Sequence, residues 1–207
     1  MDRICPTQES LDTLRRIAQS VGTFHHHYHV LLDIARSYPT GYMMTYAEIG
    51  CYAGASACLV IQRPNTKVIS IDIGNPVPAG KAIENVNRFN IHGNEFHYIG
   101  GNSHDEGTKA KLKTIAGVID LLFIDGGHRH QDVILDFTEY QEFVAPGGYI
   151  VFDDYADARY PGVQRAIDLL AKTLAGWDQI GTFDNKLGAR GDIPEGKGNC
   201  YIMRRAA

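Results

Sequence analysis

From Thr45 onward, short runs rich in β-branched and aromatic residues alternate with helical stretches, and this alternation constrains the fold more than any other feature. Strands are expected at Thr45–Ile49, Lys67–Ile71, Glu95–Ile99, Leu121–Ile124 and Tyr149–Phe152. Helical patterns lie between them, at Ser56–Gln62, Lys81–Phe89, Asp105–Ile115 and Gln131–Phe143. Alternation of this kind implies βαβ units and a parallel sheet. Pro146, Gly147 and Gly148 are expected to stop a helix and turn the chain into the next strand. Pro161–Leu174 reads as a further helix, with Pro161 near its start and Ala166, Ile167, Leu170 and Leu174 on one apolar face. Two β-like runs follow, Asp178–Phe183 and Asn199–Met203, and the Gly- and charge-rich linker Asp184–Lys197 between them reads as a hairpin or loop. The expected fold is α/β, a seven-stranded sheet that ends with an antiparallel strand. Residues 7–37 read as two helices, with Leu11, Leu14, Ile17 and Ala18 on one face and Val30, Leu31, Ile34 and Ala35 on another. This gives an N-terminal helical cap over residues 1–40 and a main domain over 41–207, the cap covering the crevice, packing on the sheet or forming a homodimer.

Bulk properties narrow the partners. A chain of 207 residues fits one domain with a sizeable core. A formal charge of −4 gives no electrostatic case for nucleic acid or an anionic membrane. No apolar run approaches the ~20 residues of a membrane helix, and the first residues lack the apolar core of a signal peptide. Cys5, Cys51, Cys58 and Cys200 show neither zinc-ligand spacing nor the density of a disulfide scaffold, which reads as reduced thiols in a cytoplasmic protein.

Two of the expected strands end in carboxylates: Asp125 after the first, Asp153 and Asp154 after the second. Ligands of open parallel sheets bind outside the carboxyl ends of the strands, so these acids are expected to face one crevice. Carboxylates repel one another, and such a cluster calls for a hard cation or a cationic ligand group. His128, three residues after Asp125, adds a titratable base at the same edge.

The other end of the crevice carries a nucleotide-like pattern. Thr45–Ser56 is a strand, a turn with Gly50 and Gly54, and a helix start. Its spacing is G-x-x-x-G rather than the G-x-G-x-x-G of dinucleotide enzymes, and Glu48 stands where it would repel a pyrophosphate but suit an ammonium group. Asp72 ends the second strand, about 20 residues after Gly50, where an acid meets ribose hydroxyls. Gly100, Gly101, Asn102 and Ser103 follow the third strand, where small polar groups can meet an adenine edge.

With these pieces the chain resembles the class I S-adenosylmethionine (SAM)-dependent methyltransferases over nearly all of residues 45–203. More narrowly it resembles the metal-dependent macrocin-type sugar and small-molecule O-methyltransferases. The resemblance is carried by EIGCYAGAS from Glu48 to Ser56, Asp72, GNS from Gly101 to Ser103, FIDGGH from Phe123 to His128, PGGYIVFDDY from Pro146 to Tyr155 and PGVQRAID from Pro161 to Asp168. It implies a Rossmann-like sheet of seven strands with helices on both faces. It also implies that Glu48, Gly50 and Gly54 line the methionine side of SAM, that Ser56 and Asp125 bind the cofactor as well, that Asp72 meets the ribose, and that Asn102 and Ser103 meet the adenine. Asp125, Asp153 and Asp154 would hold Mg²⁺ or another divalent cation, and His128 stands where related catechol-type enzymes carry a lysine base.

The expected reaction is methyl transfer to a hydroxyl of a small molecule, with His128 and Asp125 catalytic. Two adjacent oxygens, as in a vicinal diol or catechol, suit a cation that keeps open positions. Alternatives are a metal-independent methyltransferase, a cofactor-binding partner subunit without chemistry, and a dehydrogenase, the last disfavoured by the missing G-x-G-x-x-G. The run His25, His26, His27, Tyr28, His29 resembles a metal tract, with His25 and His29 four apart, but a solvated helix face or lid residues over the acceptor are preferred. Arg129, His130, Tyr155, Arg159, Tyr160 and Arg165 are acceptor-pocket candidates by position alone, Asp136 reads as structural, and Cys51 and Cys58 read as packing residues.

Overall fold

The computed structural model describes residues 7–22, 25, 27–182 and 199–207. Helix α1 (Gln8–Val21) starts at Thr7, whose hydroxyl accepts from the Ser10 amide, and stops at left-handed Gly22. Helix α2 (His29–Ser37) packs against it, and the Ser10 hydroxyl donates to Asp33 at 2.7 Å. Strand β1 (Met44–Ile49), α3 (Ala55–Val60), β2 (Thr66–Asp72), α4 (Ala79–Phe89), β3 (Glu95–Gly100), α5 (Glu106–Ala116), β4 (Ile119–Ile124) and α6 (His130–Tyr140) follow. The chain closes with β5 (Val144–Tyr155), α7 (Pro161–Thr173), β6 (Trp177–Thr182) and β7 (Asn199–Arg205). The linker expected over Asp184–Lys197 lies outside the described residues, as do Phe183, Cys5 and His26.

The sheet runs β3-β2-β1-β4-β5-β7-β6, with β1 to β5 parallel and β7 antiparallel to both neighbours. This is the seven-stranded arrangement expected. Alternation along the strands divides the core into two layers. Tyr46, Val68, Leu121, Phe123 and Val151 pack under α1 to α4. Ala47, Ile69, Leu122, Ile150 and Phe152 pack under α5, α6 and α7.

Strand β5 begins earlier than its sequence suggests. Residues expected as a turn, Pro146–Gly148, lie within it; Val144 pairs with Ile119 and the register slips before Leu121. Gly148 permits this, because a side chain there would press on the Asp120 and Ala145 carbonyls. Helix α6 stops at Tyr140 and a single 3₁₀ turn, Gln141–Phe143, takes up the rest of the expected helix.

Arg63 ties the ends of the β1 and β2 layer together. It is only 2% exposed, and its guanidinium donates to the carbonyls of Pro39, Tyr42, Pro64 and Asn65. A planar fork of donors can serve several loop carbonyls at once, which lysine or methionine cannot do. Arg63→Ala is expected to destabilise the fold by about 3 kcal/mol or more, because those carbonyls lose partners in a buried setting. Urea unfolding followed by circular dichroism would check it.

Candidate active site

Strand order reverses between β1 and β4, and the crevice opens beyond their carboxyl ends. The Asp125 amide donates to the Ile49 carbonyl and the Gly50 amide to the Ile71 carbonyl, both at 2.8 Å, so three strand ends are laced together. Gly50 has φ 86°, and a Cβ there would collide with the Asp125 carbonyl. Only glycine fits both demands.

A cavity of about 840 Å³ runs along this edge, lined at one end by Asp72, Asn102, Ser103 and His104 and at the other by His25, Tyr28, Asp125, His128, Asp154 and Tyr160. Gly50, Cys51, Tyr52 and Ser56 form the wall between. Asp72 sets the shape of that wall: its carboxylate accepts from the amides of Cys51 at 2.7 Å, Tyr52 at 2.8 Å and Gly74 at 2.6 Å. The sequence places Gly50, Ser56, Asp72, Asn102, Ser103, Asp125, His128 and Asp154 at this cavity, and the structure brings all eight to its lining.

Three residues stand elsewhere. Glu48, expected beside the methionine, is 0% exposed and does not line the cavity. Its carboxylate accepts from Tyr46 at 2.7 Å, Ser56 at 2.6 Å and Ser70 at 2.6 Å, so it joins β1, α3 and β2 from within. Burial raises its pKa, against the pull of these hydroxyls. Gly54 is the left-handed residue before α3 and faces Val86 and Ala82 of α4. Asp153, expected with the other metal acids, is 3% exposed and turned toward the N-terminal segment. His25 Nδ1 lies 2.9 Å from its Oδ2, and His27 Nε2 forms a very short contact with its Oδ1.

Consecutive strand residues point to opposite faces. Asp154, on a left-handed backbone with φ 55°, parts from Asp153 and reaches His128 Nε2 with its carboxylate at 2.9 Å. The His128 ring stacks on Tyr160 at 4.0 Å, and the Arg159 guanidinium sits 5.0 Å over the same tyrosine. Asp125, Asp154 and His128 offer donor atoms within 4.8 Å of one another. Tyr28 donates its hydroxyl to Asp125 at 2.8 Å. Burial, followed by the charges of Asp153 and Asp154, drives the Asp125 pKa well up. Burial acts on Asp153 in the same sense, but His27 and His25 outweigh it and hold that carboxylate far below the usual range.

Sequence reasoning missed Tyr28 and the histidines as partners of the acids. It also missed the support behind Ser103: the Ser103 hydroxyl and His104 Nε2 both meet Asp136 Oδ1, at 2.7 and 3.0 Å, while the Tyr140 hydroxyl donates to the Ser103 carbonyl. The His25–Tyr28 run was visible in the sequence; its partners, 97 and 126 residues away, were not.

A parallel sheet of this order with an antiparallel β7, and an acid-edged cavity at its switch point, define the class I SAM-dependent methyltransferases. The chain matches the model of the methyltransferase domain family over residues 47–155, and it belongs to that family. It is 39% identical over 179 residues to an uncharacterized protein of Acanthamoeba polyphaga mimivirus, covering 80% of this chain and 79% of that protein. Among solved structures it is similar to an O-methyltransferase from Bacillus cereus in complex with S-adenosylhomocysteine (SAH), with TM-score 0.65 and 16% identity over 98% of this chain and 92% of the other. It is also similar to the O-methyltransferase TomG from Streptomyces achromogenes, involved in tomaymycin synthesis and solved with SAM, with TM-score 0.64 and 18% identity over 97% and 91%. The N-methyltransferase NodS from Bradyrhizobium japonicum has TM-score 0.61 and 18% identity, over 87% of this chain and 94% of that one. The protein is therefore a SAM-dependent methyltransferase, and these distant likenesses bear on its fold.

Asp136 makes the Ser103 end sensitive to pH. It is 1% exposed, and burial lifts its pKa to about 6, against the opposing effects of Ser103 and His104. An acid raised in the folded state binds its proton more tightly there, so this group adds stability as pH falls from about 7 toward 4. At pH 7 its ionised form costs on the order of 3 kcal/mol. Asp136→Asn is expected to raise the melting temperature at pH 7 to 8 and to remove this part of the gain on acidification; melting curves across that range would check it.

Proposed function

We propose that the protein transfers the methyl group of SAM to a hydroxyl of a small molecule carrying two adjacent oxygens, with a divalent cation such as Mg²⁺ at the acid end of the cavity. The observation that carries this reading is the convergence of Asp125, Asp154 and His128 on one point opposite the Asp72 end. Asp125 is a half-buried carboxylate on the cavity wall, destabilised by desolvation and by its acidic neighbours, which a cation would relieve. Magnesium is commonly held by one or two carboxylates plus substrate and water, so Asp125 and Asp154 suffice as the protein's ligands. The cation would supply charge stabilisation for the acceptor oxygen as it loses its proton.

The remaining work falls to the chain's own side chains. Asp72, Asn102 and Ser103 bind the nucleoside part of SAM, and Gly50, Ser56 and Asp125 flank its methionine part. His128 takes the acceptor's proton, and the Asp154 carboxylate, 2.9 Å from its Nε2, stabilises the resulting imidazolium. Stacking on Tyr160 fixes the ring plane. The cap expected over residues 1–40 would close the acceptor end through His25 and Tyr28.

The same histidine–carboxylate pair supports a second reading, in which His128 serves as base for a more acidic hydroxyl or an amine without a cation. Chelation separates the two. In the first reading chelator abolishes turnover of a vicinal diol or catechol, Mg²⁺ restores it, and Asp154→Asn lowers kcat/KM by about 100-fold or more. SAH binding by calorimetry persists in that variant. Full turnover in chelator would exclude the cation and leave the second reading.

A further inference from the structure

Asp153 is the acid that the proposed cation site leaves unused, and its surroundings have their own chemistry. We propose that His25, His27 and Asp153 form a separate site for a borderline divalent transition ion of the Zn²⁺ type, which clamps the N-terminal segment to the end of β5. This goes beyond the methyl-transfer reading and stands independently of it.

The three residues offer two imidazole nitrogens and one carboxylate, all with donor atoms within 4.8 Å of one another. Three protein ligands with one open position is the arrangement of accessible zinc sites. His27 and Asp153 are buried, whereas His25 lies on the cavity wall, so the open position faces the cavity. Asp153 Oδ2 is buried and has no hydrogen-bond partner, although His25 Nδ1 stands 2.9 Å away. A ring nitrogen and a carboxylate oxygen at this distance can serve as two donors to a shared ion. Ligand atoms on one ion at 2.0–2.1 Å are separated by about 3.0–3.4 Å; the 2.9 Å between His25 Nδ1 and Asp153 Oδ2 is close to this, and His27 Nε2 would turn from its short contact with Oδ1 to the ion.

Ligand type separates this site from its neighbour. Imidazole nitrogen favours Zn²⁺ and its transition-metal relatives over Mg²⁺, whereas a pair of carboxylates open to water favours the harder ion. Backbone continuity supplies a consequence. His27 immediately precedes Tyr28, whose hydroxyl donates to Asp125, so an ion on His27 also sets the tyrosine over the other site. The sequence tract suggested His25 with His29; the structure pairs His25 with His27, and His29 is buried at the start of α2.

Co²⁺ is a spectroscopic stand-in for Zn²⁺. Titrated into the chelator-stripped full chain with Mg²⁺ in excess to fill the Asp125–Asp154 site, it is expected to give visible d–d absorption saturating at one equivalent, with Zn²⁺ displacing it. His25→Gln and His27→Gln are expected to weaken this binding by more than about tenfold, while Asp154→Asn retains it. His25→Gln is the safer variant because its side chain is half-exposed, and thermal melts of both report folding. Absence of the band in the folded wild-type chain would overturn the proposal, as would equal loss in Asp154→Asn or unchanged binding in His25→Gln. SAH binding measured on the stripped protein reports separately on the methyltransferase reading.

Discussion

Concentrated negative charge at the ends of β4 and β5 is the constraint on which the site depends. Asp125, Asp153 and Asp154 are held together by the sheet itself, since β4 and β5 are neighbours in register. Folding has to bury these carboxylates without leaving them uncompensated. Each acid meets a different partner: Tyr28 at Asp125, His25 and His27 at Asp153, His128 at Asp154. The N-terminal segment is therefore drawn onto the crevice by electrostatics and hydrogen bonding, in addition to the apolar packing of α1 and α2 on the sheet.

The fold was largely legible because its determinants are local. Short β-rich runs at Tyr46–Ile49 and Leu121–Ile124, and glycine at Gly50 and Gly54, state where strands end and helices begin. The start of β5 was less legible: Pro146–Gly148 has turn chemistry, and only the close approach of the Asp120 carbonyl explains why glycine serves a strand there. In the site, Asp72, Asn102, Ser103, Asp125 and Asp154 could be placed at the cavity because each ends or follows a strand. Glu48 shows the limit of that logic. It follows the same pattern, yet three hydroxyls on β1, α3 and β2 claim its carboxylate inside the core. Asp153 and Asp154 show it again: two identical residues side by side meet His25 and His27 in one case and His128 in the other. Partners joined across 97 or 126 residues, such as Tyr28 with Asp125 and His27 with Asp153, have no local signal at all.

The two ends of the cavity are built on different principles. Around Asp72 the ligands are backbone amides and small polar side chains, fixed by strand ends and by the turn after β1. Around Asp154 they are aromatic and titratable side chains, with His128 sandwiched between Asp154 and Tyr160. The first kind of wall suits a constant ligand. The second suits a partner whose shape and protonation have to be managed during a reaction.

The acids and their partners come from different stretches of the chain. The family model spans residues 47–155, the strands that carry the acids, and His25, His27, Tyr28, Arg159 and Tyr160 lie outside it. The acid end of the cavity is thus walled by segments distant in sequence, and a change in either segment reshapes that end without altering the turn that Asp72 holds at the other.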